Sequence, residues 1–217
     1  MVGLYSGDAS RLMALRQGLG KHLDRAPVWT PNGQRLLFSS DRGGASNVFA
    51  QLADGSGSIE RLTNSRNDQL PTGISPDGKY LLLRESPPLN LGSADVTMLS
   101  LETAERGEHH GEPGENSTSD TKPLMRSSVF LANNAAVSPD GRWLAYQTDE
   151  SGRDEIYVRP FPDVNAGRWQ VSMGFGREPV WASKGRELFY LTIGGGALMR
   201  VLVENSASWS AGMPSLF

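Results

Sequence analysis

The sequence has no cysteine, no long apolar run and no large excess of charge of one sign. Without cysteine, the 217 residues cannot form a disulfide framework, a thiolate metal site or a cysteine nucleophile. The 21 Lys and Arg against 24 Asp and Glu lack the basic excess of a phosphate-backbone binder, so we expect no nucleic-acid partner. No apolar segment approaches the roughly 18 residues of a membrane-spanning helix, so we expect no membrane insertion.

The N-terminal segment, residues 1–21, also lacks the basic flank, apolar centre and small-residue cleavage site of a signal peptide. As written, the chain is therefore expected in the cytoplasm. If it is a fragment of a longer protein, an export signal could lie upstream of it. A periplasmic or other extracytoplasmic location is the alternative in that case.

Glycine and proline, in contrast, are abundant, with 25 and 13 residues. Such frequent turn-forming residues favour many short elements over a few long helices. The length suits one large domain or two small ones, with enough chain to bury a sizeable core. Composition therefore points to a turn-rich globular protein.

Four stretches of the sequence align with one another around a turn that ends in glycine. The turn glycines Gly33, Gly78, Gly141 and Gly185 lie 45, 63 and 44 residues apart. A period near 44 residues is the size of one four-stranded propeller blade. The aligned segments are residues 27–38, 73–82, 136–146 and 179–190.

Each repeat has the features of a small antiparallel sheet. Pro-Asp-Gly or Pro-Asn-Gly makes a turn, because proline fixes one backbone angle and glycine accepts a positive φ. The apolar run at 81–83 predicts a strand buried on both faces, and the alternation at 155–159 predicts a third strand. Short fourth strands are predicted at 59–62 and 169–171. The fold class is therefore all-β, a propeller of four-stranded blades that bury their faces against one another.

We predict one β-propeller domain over residues 1–217, with four clear blades and a partial fifth blade at the N-terminus. Blade 2 contains a polar insertion at about 102–122, which we interpret as a mobile surface loop because it has no large apolar side chains to bury. The partial blade spans 1–26, and the four blades span 27–69, 70–134, 135–177 and 178–217.

This number of strands falls short of five complete blades, so unpaired sheet edges are expected. Three alternatives stay open. An irregular blade closes the ring, copies of the chain associate as a homo-oligomer through open blade edges, or the chain is a piece of a longer propeller.

Two short motifs give the repeats a family resemblance. The pattern Ser-Pro-Asp-Gly-(Arg/Lys)-aromatic-Leu occurs at 75–81 and 138–144, and Pro-Val-Trp occurs at 27–29 and 179–181. Both resemble the WD-like propeller repeat of TolB-type proteins. Residues 137–217 also resemble propeller sensor regions of some bacterial serine/threonine kinases. The resemblance implies the propeller fold and leaves function open, because such repeats serve binding, scaffolding and enzymatic roles.

Candidate functional residues follow from the repeat alignment, which places polar side chains where each innermost strand begins. In a propeller these strand ends surround the central channel, where a ligand site is expected. The mixture of arginine, carboxylate and amide groups suits a polar small molecule, a peptide or a protein. The alternative is that these groups only satisfy strand ends and line a solvated funnel. The candidate ligand-binding residues are His22, Arg25, Gln69, Asn133, Asn134 and Arg177, and the candidate acids are Asp24, Asp68 and Glu178.

Two functions from different classes are consistent with this set. The first is a binding module that presents its channel mouth to a ligand or a protein. The second is a glycoside hydrolase, with Glu178 and either Asp68 or Asp24 as paired carboxylates about 5 to 9.5 Å apart. No Gly-x-Ser-x-Gly motif supports a serine nucleophile.

We expect no cofactor and no metal site. His109 and His110 lie beside glutamates and could attract a metal ion, but they fall in the polar insertion, which would first have to become ordered.

Overall fold

The computed structural model describes residues 22–88, 93–105, 121–126, 130–204, 206 and 208–217, and within them the chain forms four antiparallel sheets of four strands each. Sheet 1 contains β1 (Arg25–Trp29), β2 (Arg35–Ser40), β3 (Asn47–Leu52) and β4 (Glu60–Arg61). Sheet 2 contains β5 (Asp68–Ile74), β6 (Tyr80–Ser86), β7 (Asp95–Ser100) and β8 (Thr121–Met125). Sheet 3 contains β9 (Ala132–Val137), β10 (Trp143–Thr148), β11 (Glu155–Pro160) and β12 (Trp169–Gln170). Sheet 4 contains β13 (Arg177–Trp181), β14 (Glu187–Leu191), β15 (Leu198–Leu202) and β16 (Ser215–Leu216).

Strands that follow one another in sequence are neighbours in every sheet, so each sheet is an up-and-down meander. The first strands of adjacent sheets pack side by side, β1 beside β5, β5 beside β9, and β9 beside β13. The predicted all-β fold with four clear four-stranded blades is confirmed. Residues 1–21 of the predicted partial fifth blade lie outside the described residues. The single domain over 1–217 and its blade boundaries stay predictions.

The Ser-Pro-Asp-Gly motif forms a closed set of hydrogen bonds that joins the first two strands of a sheet. In sheet 3 the Ser138 hydroxyl donates to Asp140 Oδ1 at 2.5 Å, and the Arg142 amide donates to the same oxygen at 3.2 Å. The Trp143 amide in turn donates to Ser138 Oγ at 3.0 Å. The motif therefore recurs because its side chains complete the turn. The same three bonds recur over residues 30–35 and 75–80.

The fourth sheet departs from this turn chemistry. Ala182 and Lys184 stand where the motif has serine and aspartate, and neither can supply the side-chain bonds. The turn keeps the bond from the Gly185 amide to the Ala182 carbonyl at 2.8 Å and a positive φ of 68° at Gly185. Backbone geometry is thus sufficient for the turn.

Asp140 gives the turn a dependence on pH. Burial acts to raise the pKa of Asp140, but hydrogen bonds from Ser138 and Arg142 outweigh it and hold the pKa below its usual value. The ionised form therefore stabilises the fold above the unfolded pKa of about 3.9, and this contribution is lost as the pH falls through the lower folded pKa.

We expect Asp140→Asn to change the free energy of unfolding at pH 7 by less than about 1 kcal/mol, because Asn32 makes the same turn in sheet 1. The variant should lose less stability than the wild type below about pH 4, since its amide does not titrate. Urea unfolding followed from pH 7 to pH 2 measures both effects, with the exposed Asp163→Asn as the control. A steeper loss of stability in acid for Asp140→Asn would contradict this account.

Adjacent sheets bury their facing surfaces in three apolar clusters, one at each junction between sheets. All residues of β10 and the run 81–83 of β6 are buried, because both faces of sheets 2 and 3 are covered. The clusters include Leu37, Val48, Leu81 and Leu83 between sheets 1 and 2, Leu82, Val96, Leu144 and Tyr146 between sheets 2 and 3, and Trp143, Ile156, Leu188, Tyr190 and Val201 between sheets 3 and 4.

The predicted insertion at about 102–122 has ordered ends. A short helix, α1 (Leu101–Glu105), follows β7, and Ala104 of this helix packs into the cluster between sheets 1 and 2. The C-terminal end of the insertion belongs to β8. The segment 106–120, with His109 and His110, lies outside the described residues. No helix in the described part of the chain is long and apolar enough to span a membrane.

Candidate ligand-binding site

The first strands of three sheets begin with a bulge that carries a strained residue. Ala26, Asn134 and Glu178 have positive φ angles of 52°, 49° and 54°, a region that side chains other than glycine rarely adopt. Each lies at an irregularity in the pairing of its strand. Pro71 occupies the equivalent position in sheet 2, where the fixed φ of proline forbids this conformation, and the irregularity falls at Thr72. Bulges of this kind redirect side chains next to functional sites.

Ser46 joins the starts of β1 and β5. The Ser46 amide donates to Asp68 Oδ1 at 2.8 Å, and its carbonyl accepts from the Gln69 amide at 2.7 Å. The Ser46 hydroxyl accepts from Arg25 Nη2 at 3.1 Å. Three of the predicted site residues are therefore brought together around one serine of the β2–β3 loop.

Asp24 lies beside the same loop and is paired with Arg42. Arg42 Nη2 donates to Asp24 Oδ1 at 2.9 Å, and the Asp24 side chain is 6% exposed. The second carboxylate oxygen, Oδ2, is buried and has no hydrogen-bond partner among the described residues. His22 also lies next to this loop, with Nδ1 at 3.5 Å from Asp41 Oδ1.

Glu85 positions the side chain of Gln69. Its buried carboxylate accepts from Gln69 Nε2 at 3.2 Å, so the amide group of Gln69 is held in one orientation. The opposite atom, Gln69 Oε1, is buried and finds no donor within the described residues. The other donors to Glu85 are Ser65 Oγ (3.1 Å), Asn67 Nδ2 (3.1 Å), Thr97 Oγ1 (3.3 Å) and Thr121 Oγ1 (3.0 Å).

Gln147 links sheets 3 and 4 through hydrogen bonds to its side chain. Its Oε1 accepts from Asn134 Nδ2 at 2.9 Å and from the Glu178 amide at 3.3 Å. Asn133 Oδ1 accepts from the Asn134 amide at 2.9 Å. Glu178 Oε2 is buried, and no described residue donates a hydrogen bond to it.

Arg177 is engaged in an ion pair at the same junction. Its guanidinium lies 2.5 Å from Asp154 Oδ2, and the Gly176 amide donates to the Asp154 carbonyl at 2.9 Å. Asp154 follows Gly141 by the same number of residues as Ser46 follows Gly33. In both cases, a backbone carbonyl in the loop between the second and third strands accepts a hydrogen bond from a backbone amide at the start of the next sheet.

The structure divides the predicted residues into two groups. The first group contacts Ser46 or Arg42 and consists of Asp24, Arg25, Asp68 and Gln69. The second group lies around Gln147, which contacts Asn134 and Glu178. Asn133 and Arg177 are the chain neighbours of these two residues. His22 contacts Asp41 and belongs with the first group.

The chain has been compared with known protein families, curated proteins and solved structures. No protein-family model matches the chain. It is 29% identical over 170 residues to the Tol-Pal system protein TolB of Francisella tularensis subsp. tularensis strain WY96-3418, a match that covers 76% of this chain and 34% of the relative. TolB from Agrobacterium tumefaciens superposes with a TM-score of 0.65 at 12% identity, over 91% of this chain and 68% of that chain. TolB from Acinetobacter baumannii superposes with a TM-score of 0.56 at 18% identity, over 88% and 43%.

The chain has the β-propeller fold of TolB and is similar to it in sequence. The resemblance predicted from the Ser-Pro-Asp-Gly and Pro-Val-Trp motifs is confirmed, whereas the resemblance to kinase sensor regions stays a prediction. The chain spans about a third of the length of the curated relatives it matches.

Several residues that shape the site are not among the candidates predicted from the sequence. Ser46 and Asp154 are absent from those candidates, although their equivalent positions in the repeats are a signal in the sequence. Glu85 and Gln147 gave no such signal, because neither type of residue recurs at its position in the other repeats. Their roles depend on partners far away in sequence.

Charged groups near the starts of β1 and β5 are held by hydrogen bonds and ion pairs. Burial lowers the pKa of the Arg84 guanidinium, and the charge of Asp68 acts in the opposite direction. Asp24 pairs with Arg42, and Asp68 accepts from a backbone amide. Among the described residues, no three His, Asp or Glu side chains converge in a group that could hold a metal ion.

Proposed function

We propose that this propeller is a binding module that accepts a protein or peptide segment at the ends of its first strands. One observation carries the proposal. Three buried side-chain oxygens, Asp24 Oδ2, Gln69 Oε1 and Glu178 Oε2, lack donors within the described residues, and all three lie at the start of a first strand. A ligand that supplies N–H groups would satisfy them.

The free-energy cost of these unpartnered acceptors favours a ligand that carries hydrogen-bond donors. A buried acceptor without a partner costs about 1–3 kcal/mol, so a bound N–H group recovers free energy that the free protein lacks. Two of the three groups are carboxylates, which favours ammonium or guanidinium donors through charge-assisted hydrogen bonds. The nearby cations Arg25 and Arg177 do not supply these hydrogen bonds, because they contact Ser46 and Asp154 instead.

A peptide also suits the placement of the acceptors on separate sheets. An extended segment presents amide donors along its length and can carry lysine or arginine side chains. The similarity to a protein named for the Tol-Pal system supports a protein partner. The same similarity supports a proposed location outside the cytoplasm, as implied by the resemblance to TolB-type proteins.

No observation in the described residues favours the glycoside hydrolase. Asp24 lies against the Arg42 guanidinium and Asp68 accepts from the Ser46 amide, so both carboxylates already have partners within the protein. The hydrolase stays a prediction that the binding experiment below also tests.

We expect a lysine-rich peptide, acetyl-Ala-Lys-Ala-Lys-Ala-amide, to bind at the strand starts, and its glutamate counterpart to bind at least 10-fold more weakly. Glu178→Gln should weaken binding of the lysine peptide by about 10-fold or more, because it removes one charged acceptor. Titration followed by backbone amide NMR gives both the affinity and the residues that shift.

Asp163→Asn is the matched control, since it changes the net charge equally at an exposed carboxylate outside the proposed site. Equal weakening by both variants, or shifts away from the starts of β1, β5 and β13, would contradict the proposal. Turnover of a chromogenic glycoside that disappears in Glu178→Gln would favour the hydrolase in its place.

A further inference from the structure

The turn between β1 and β2 contains the one Asn-Gly pair of the sequence, at residues 32–33. Asparagine is a thermolabile residue, because its side chain can react with the backbone nitrogen that follows it. Glycine in the following position has no side chain to hinder that approach. The equivalent turns of sheets 2 and 3 have aspartate before glycine, at Asp77 and Asp140. A spontaneous reaction at residue 32 can therefore produce the residue type that these two sheets already have.

Three hydrogen bonds hold the Asn32 side chain in the folded turn. Its Oδ1 accepts from the Thr30 hydroxyl at 2.7 Å and from the Gln34 amide at 3.1 Å. Its Nδ2 donates to Gln34 Oε1 at 3.2 Å. The backbone nitrogen next to it, Gly33 N, donates to the Thr30 carbonyl at 2.8 Å. The side chain and the nitrogen that would have to react are thus both engaged with other groups.

The reaction joins Gly33 N to Asn32 Cγ and releases the side-chain nitrogen as ammonia. Gly33 N gives its proton to hydroxide as the new bond closes a cyclic imide, and the leaving nitrogen takes a proton from water. Water then opens the imide at either of its carbonyl groups. One opening gives aspartate, and the other gives isoaspartate, in which the main chain runs through the side-chain carbons. In both cases the net change takes up one water molecule and releases one ammonia.

Closure of the imide ring requires the turn to open. Asn32 has to turn its Cγ onto Gly33 N, which breaks the hydrogen bonds that Oδ1 accepts from Thr30 and Gln34. Gly33 N has to lose the hydrogen that it donates to the Thr30 carbonyl. Breaking these bonds costs free energy. The reaction therefore proceeds from molecules in which this part of the chain has opened by local or global unfolding.

The aspartate product fits the turn, whereas isoaspartate does not. In sheet 2, Asp77 Oδ1 accepts from the Ser75 hydroxyl at 2.6 Å and from the Lys79 amide at 3.1 Å. These are the bonds that Oδ1 of Asn32 accepts in sheet 1, so a carboxylate oxygen can take its place. Isoaspartate adds one carbon atom to the main chain, which displaces the amide groups that the turn requires. The turn thus distinguishes the two products.

We propose that Asn32 is a deamidation site whose rate is set by opening of the turn, and that the refolded turn accepts aspartate but not isoaspartate. The conversion to aspartate adds one negative charge to sheet 1 and gives three sheets the same turn chemistry. Thr30 controls the rate, because its hydroxyl holds Asn32 Oδ1 and its carbonyl holds Gly33 N.

Mass spectrometry of proteolytic peptides, after incubation of the protein in mildly alkaline buffer, measures deamidation at residue 32. The folded protein should react about 10-fold or more slowly than the same protein unfolded in urea. Thr30→Val should accelerate the reaction of the folded protein by about 3-fold or more and leave the unfolded rate unchanged, because it removes the hydroxyl bond to Asn32. Thr192→Val is the matched control, since its hydroxyl accepts from the Ala197 amide at 3.1 Å in the turn between β14 and β15. This variant should leave the rate at residue 32 unchanged.

A measurement of the products keeps the test valid if Thr30→Val fails to fold. Asn32→Asp should unfold at the same urea concentration as the wild type at pH 7, because the carboxylate keeps the turn. The isoaspartate form, separated by chromatography from aged protein, should unfold at a lower urea concentration. Equal rates in folded and unfolded protein, equal rates in folded Thr30→Val and Thr192→Val, or an Asn32→Asp variant as unstable as the isoaspartate form would overturn the proposal.

Discussion

Leu144→Ala is expected to lower the free energy of unfolding by about 2–5 kcal/mol, the largest effect that we predict for a single substitution. Leu144 is fully buried in β10, in the cluster that joins sheets 2 and 3. The truncation removes apolar contacts and leaves a cavity, which the surrounding strands can fill only in part because β6 and β10 are packed on both faces.

Urea unfolding followed by tryptophan fluorescence measures this effect, with Trp143 next to the substituted residue as a reporter. Leu198→Ala is the control, because Leu198 in β15 is 37% exposed. Its expected cost is below about 1 kcal/mol. A cost for Leu144→Ala as small as that of the control would mean that sheets 2 and 3 do not share a packed core.

Glu85→Ala is expected to cost about 2–4 kcal/mol, because it leaves several buried donors without their acceptor. The carboxylate of Glu85, 8% exposed, holds the linker between sheets 1 and 2 against β7 and β8. Glu85→Gln should cost less, since the amide keeps one acceptor oxygen and the same shape.

Urea unfolding of both variants, with the exposed Glu60→Ala as control, measures the stability of this network. Glu85 also orients Gln69, so its loss should weaken peptide binding in the NMR titration through a change at Gln69. If Glu85→Gln kept both stability and peptide affinity while Glu85→Ala lost only stability, the positioning role of Glu85 would be wrong and its structural role would stand.

The repeat was predictable because its chemistry is contained in a few consecutive residues. Ser138, Asp140 and Gly141 complete their turn without help from distant parts of the chain. The run at 81–83 indicates burial on both faces, and the structure confirms it. The turn at Lys184 forms without the motif, which shows that the side-chain bonds support a geometry that the backbone already permits.

The candidate site was predictable in position but not in chemistry. Repeat alignment placed Asp24, Gln69 and Glu178 at the starts of first strands, where the structure has them. It gave no indication that one oxygen of each side chain would be buried without a donor among the described residues. That property depends on Arg42, Glu85 and other residues that come from separate turns and strands.

By itself, the sequence determined the all-β class, the repeated turn and the alternation of strands, because these follow from proline, glycine and apolar spacing within about ten residues. Only the tertiary structure decided which polar atoms are satisfied and which side chains of neighbouring sheets pack together. Both properties depend on contacts between segments far apart in the chain, such as Ser46 with Asp68 or Gln147 with Glu178. No local pattern encodes those contacts, because they form only when neighbouring sheets pack together.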